Sequence, residues 1–177
     1  MPTAGTIILA NTDYSPLDAN NLGARTHKIN LSGLLNGRWR QSDKFDLGVP
    51  RARYWEVTAA IECASAPTAA TTLSLFFGFS RYATAGKDNP AGLSGSDAAY
   101  LGYDAAAADA LEASAQLVDA GDITLTADPD VQVAHIGIIE SRAQFGLLAV
   151  LNSSGKTLAA DGIEMAVRLQ PLYWTNS

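Results

Sequence analysis

The chain has a single cysteine, two histidines and few charges, and each scarcity removes a class of function. One thiol, Cys63, forms no internal disulfide, and one cysteine with two histidines is too little for a zinc cluster. Charged residues make up 17% of the chain, below the roughly 25% of an average soluble domain. Such a surface suits contact with neighbours, although an Ala/Thr-rich globular surface has the same composition. No run approaches the ~18 apolar residues of a membrane span. The first ten residues lack the basic start and long apolar stretch of a signal peptide. The expectation is a chain made in a reducing cytosol, with no membrane partner.

What is abundant is alternation. Trp55, Val57, Ala59, Ile61 and Cys63 share one parity, with Glu56, Thr58, Ala60 and Glu62 on the other. The same period of two returns in Thr71-Leu73-Leu75-Phe77-Phe79 and in Ile163-Met165-Val167-Leu169. Side chains alternate across a strand, so each run predicts one buried face. Further strands are expected at 123–126, 131–140 and 145–152, and two short ones within 26–47 around an Asn36-Gly37 hairpin turn. Strands 54–63 and 71–80 are expected to form a hairpin across Ala66-Pro67. Residues 131–139 and 145–151 are apolar on both parities, which predicts central strands or strands with a covered outer face. The stretch 105–118 fits a helix or a strand, with 111–118 leaning to strand. Residues 1–24 read as an extended arm rich in turn formers, and 25–177 as one domain. The fold class is all-β: a two-sheet antiparallel sandwich, jelly-roll-like, of eight or nine strands with an N-terminal arm.

Charge is unevenly placed. Residues 1–87 hold nine Lys/Arg and six Asp/Glu, a net of +3, while 88–177 hold three and twelve, a net of −9. No Lys or Arg occurs between Asp88 and Glu140. A net charge of −6 argues against nucleic acid as a partner. The two halves predict either pairing within one subunit or a charge-complementary contact between subunits.

Catalytic motifs fail one by one. Gly92-Leu93-Ser94-Gly95 falls short of a nucleophile elbow. Ser154-Gly155-Lys156-Thr157 mimics the tail of a phosphate loop, but Val150 stands where its first glycine belongs, so a hairpin turn is expected. His135, inside an apolar strand, reads as a core or interface histidine. Asp119, Asp122, Asp128 and Asp130 match no calcium loop. No catalytic residue, metal or cofactor is expected. Aromatics remain: Trp39 between Arg38 and Arg40 and Trp174 near the C-terminus, both expected to be exposed, with Tyr82 and Tyr100. With Lys87 and Asp88 of the long 83–103 loop, they form the candidate partner-binding set. They suit a protein contact, or alternatively a carbohydrate-binding or receptor-binding module.

Two segments carry a family resemblance. One is Thr6-Ile7-Ile8-Leu9-Ala10 with its Asn/Asp-rich continuation and Trp39-Arg40-Gln41-Ser42. The other is Gly78-Phe79-Ser80 with the loop from Ala83 to Gly95. Together they resemble small structural proteins of tailed bacteriophages, of the capsid decoration or cement type. The resemblance implies a virion protein on the capsid surface, made in the host bacterial cytoplasm. It also implies a homo-oligomer, typically a trimer, bound to the major capsid protein and tied by an arm. Removing residues 1–24 is then expected to weaken attachment more than it unfolds the body.

Overall fold

A computed structural model describes residues 5–15, 21–49, 51–100 and 115–173. Among these, eleven strands form: β1 (Ile7–Ala10), β2 (His27–Lys28), β3 (Trp39–Gln41), β4 (Phe45–Asp46), β5 (Tyr54–Ile61), β6 (Thr72–Ser80), β7 (Ala98–Ala99), β8 (Val118–Thr124), β9 (Gln132–Glu140), β10 (Phe145–Ser153) and β11 (Ala166–Leu172). They build two sheets, ordered β2-β1-β11-β5-β9 and β7-β3-β10-β6-β8, with β4 also paired to β10. Setting aside the two-residue strands β2, β4 and β7, eight remain. The first pairs with the last (β1–β11), the second with the seventh (β3–β10), the third with the sixth (β5–β9) and the fourth with the fifth (β6–β8), all antiparallel. The chain is one long hairpin rolled into a sandwich, which is a jelly roll. Residues 101–114, which include most of the helix-or-strand stretch, lie outside the described residues, as does Trp174.

Alternation builds the core as expected. Trp55, Val57, Ala59 and Ile61 of β5 face Leu73, Leu75 and Phe77 of β6 and Leu148 and Val150 of β10, all essentially excluded from water. Burying side chains of this size contributes roughly 1.5–3 kcal/mol each. Cys63 is buried among them, and burial pushes its thiol up from its ordinary value.

Pairing departs from the local expectation in three places. β5 and β6 are not a hairpin: β11 and β9 flank β5, so the chain crosses to the other sheet after Ile61. Asn36-Gly37 is a turn, with Gly37 at φ +75, but the strands on either side, β2 and β3, belong to different sheets. Nor does the 154–157 turn close a hairpin, because β10 and β11 lie in opposite sheets. A period of two tells which face a residue takes; it does not tell which edge its strand pairs.

The expected arm is also corrected in part. β1 lies inside the five-stranded sheet, hydrogen-bonded between β11 and the parallel β2, with all four residues buried. Ile7 and Leu9 join the main core, while Ile8 and Ala10 pack beneath Tyr14 and Leu22 on the outer face. Removing 1–24 therefore strips a strand from the body.

β10 is buried on both faces, because Trp39, Leu93, Tyr100 and Leu117 cover its outward Leu147 and Ala149. β9 differs. It ends the five-stranded sheet, and Val133 is 48% and Ile138 60% exposed. Its neighbour across the sandwich is β8, and both strands skip a residue where they meet, Ile136 and Ala120. Gly121 (φ +114) sits so close there that an added Cβ would stand 3.3 Å from the Ile136 carbonyl oxygen. Paired bulges thus fold one edge of each sheet against the other.

His27 of β2 is half-buried, its ring edge-on to Phe45 at 5.8 Å and its Nδ1 3.0 Å from Thr26 Oγ1. Burial holds its pKa below 6.5, opposed by Asp43 and Asp46. The unfolded chain therefore binds the proton first as pH falls. Stability is full above 6.5 and declines as pH drops through the lowered folded value. Urea melts at about pH 7.5 and about pH 5 should show this loss, and His27→Gln should reduce it.

Candidate functional site

The expected contact residues fall into two groups. Strand β3, with Arg38 just before it, places Arg38, Trp39 and Arg40 beside Tyr100, where they line a groove of about 310 Å³ with Asn30, Ser32, Leu34 and Leu35. Trp39 is only 6% exposed: its ring lies 5.2 Å from Phe76 and edge-on to Tyr100 at 5.8 Å. Tyr100 is buried too and donates its hydroxyl proton to the Ala91 carbonyl. The expectation of an exposed Trp39 is corrected: the 91–100 loop, with Leu93 and Tyr100, folds over it. Trp39 sits packed against two aromatic rings, an arrangement that suits a groove floor better than a sugar platform. Leu35, 55% exposed, is the large apolar side chain presented at the rim.

Arg40 is committed to a clamp. Asp97, its side chain 5% exposed, accepts hydrogen bonds from Arg40 Nε (2.7 Å) and the Asn30 amide (2.9 Å) and pairs with Lys28 Nζ at 3.3 Å. Its own amide donates to Asp43 Oδ1 at 2.8 Å. Asp97 thus joins β2 of one sheet to β3 of the other. Gln41 holds the same loop, accepting from the Ser94 amide and donating to the Ala99 carbonyl.

The second group is Tyr82, Lys87 and Asp88. Lys87 Nζ stands 4.0 Å above the Tyr82 ring centroid, and Tyr82 is 44% exposed. Their segment is organised by Lys44, whose ammonium donates to Ser80 Oγ and the carbonyls of Tyr82, Thr84 and Lys87 at 2.8–3.0 Å. Desolvation pulls the Lys44 pKa down, with Asp88 opposing. Asp88 (φ +56) and Ala91 (φ +54) take left-handed backbone, and Asn89 Nδ2 bridges the Ala85 and Leu93 carbonyls. A loop holding such strain needs fixed anchors. Lys44→Met should release it, read as faster amide exchange and proteolysis within 81–97 while the sheets stay protected.

Other expectations resolve plainly. His135 is on the outer face of β9, its side chain 54% exposed and its Nδ1 3.3 Å from Glu56 Oε1, so it is not a core residue. In the phosphate-loop mimic, Gly155 takes φ +74 and its amide donates to Asn36 Oδ1. Acidic and basic halves do meet within one chain, at Asp97 and at Arg53–Glu140, 2.8 Å apart. The nested pairing of first strands with last brings this about. Lys44 and Asp97 escaped the sequence reading because nothing local separates a loop anchor from any surface charge. No protein-family model matches the chain, and no curated protein matches it.

Proposed function

We propose that this is a structural virion protein of the head-decoration type, which binds an assembled capsid through its six-stranded sheet and stabilises it. The observation that carries the reading is where the buried polar chemistry is used. Asp97, Gln41 and Lys44 hold the 81–100 loop in one shape over an already complete jelly roll. Such a body offers a rigid, low-charge surface, and rigidity reduces the ordering cost of docking. The groove with Leu35 at its rim and the Tyr82–Lys87 shoulder are the contact, and the major capsid protein is the partner. Stabilisation works by mass action, since a ligand that binds only the assembled state favours it.

The test is co-sedimentation of purified protein with capsids of the phage that encodes it. Wild type should pellet with capsids, and Leu35→Glu should lower its affinity about tenfold or more. Protein that stays in the supernatant, while binding glycans on an array, would replace this reading with the carbohydrate one.

A further inference from the structure

The other side of the sandwich carries an open apolar area. On β5, β9 and β11, register places Leu172, Tyr54 and Glu140 in one outward row and Gln170, Glu56 and Ile138 in the next. Arg168, Thr58 and His135 form a third row. Tyr14 and Leu22 cover the β1 side of this face, but at the Leu172 end Arg53, Tyr54, Ile138 and Leu172 line a shallow depression of about 630 Å³. Ile138 stands 60% exposed beside Ile139, which is buried in the core.

We infer that a second copy of this chain docks on this face, two-fold and isologous, with Ile138, Tyr54 and Leu172 as its anchors. Charge identifies the occupant. The whole chain carries −6, so two copies carry a net repulsion. Here the charges balance: Arg53 and Arg168 stand against Glu56 and Glu140. Arg53 and Glu140 lie side by side at the rim, 71% and 51% exposed, so a two-fold copy can set each sign against its opposite. Balanced rim charges around apolar anchors fit a self-complementary contact. An acidic or a basic partner would meet a like charge on the same face. The inference takes up the homo-oligomer expected from the sequence and replaces its trimer with a two-fold assembly.

Sedimentation equilibrium of the full chain at micromolar concentrations tests it. Wild type should weigh twice the chain mass. Ile138→Glu should weaken association about a hundredfold while its circular dichroism and melting stay native. Arg53→Glu should weaken it too, and adding Glu140→Arg should restore it. Leu35→Glu, on the other side of the sandwich, should leave the dimer intact while losing capsid binding, so failure of either idea shows separately. A wild-type monomer overturns the inference, as does a trimer or a dimer that Ile138→Glu leaves unchanged.

Discussion

A chain lacking residues 1–10 is expected not to fold. β1 fills the position between β2 and β11, and Ile7, Ile8 and Leu9 are each at most 4% exposed. Their burial alone is of the order of 5–9 kcal/mol, comparable with the about 5–15 kcal/mol that holds a domain together. Deletion also frees the β11 edge and exposes Val167 and Leu169 of the core. The measurement is circular dichroism with urea titration. The truncated chain should lose its cooperative transition, or form inclusion bodies instead. A truncated chain that melts like wild type would show that β1 is a dispensable arm after all.

Asp97→Ala is expected to be the most damaging single charge removal. It leaves Arg40, its side chain 22% exposed, and Lys28 without their carboxylate, and frees the Asn30 amide. Breaking a largely buried pair from one side costs about 3–5 kcal/mol, well above the loss of a solvent-exposed pair such as Arg53–Glu140. Asp97→Asn keeps an acceptor and should recover part of the loss. Because Asp97 spans both sheets, the destabilisation should appear as a shift of the whole unfolding midpoint. A change confined to the 91–100 loop would contradict the clamp.

What the sequence made legible follows from where alternation is long enough to accumulate. β5, β6, β9, β10 and β11 each run seven to nine residues, and all five stand within a few residues of their expected bounds. β2, β4 and β7 have two residues each, too few for any period to register. β8 begins at Val118 rather than 123, because Asp119 and Asp122 sit on its solvent side and read as turn residues. Trp39 looked exposed because its neighbours are arginines. Its burial is decided by Leu93 and Tyr100, more than fifty positions along the chain. Likewise, the doubly apolar runs at 131–139 and 145–151 look alike. Only β10 gained a cover, since β3, β6 and the 91–100 loop close over it, while β9 ends its sheet. Candidate residues could be chosen by type, but their grouping into groove and shoulder depends on Lys44 and Asp97, whose partners are distant in sequence.

The most direct test of the central claim is scanning calorimetry of capsids titrated with the purified protein. A ligand that binds only the assembled particle raises its disruption temperature with the logarithm of free protein concentration. Capsids should show that rise, with Leu35→Glu shifting the curve to higher concentration. A disruption temperature that does not move at saturating protein would contradict it.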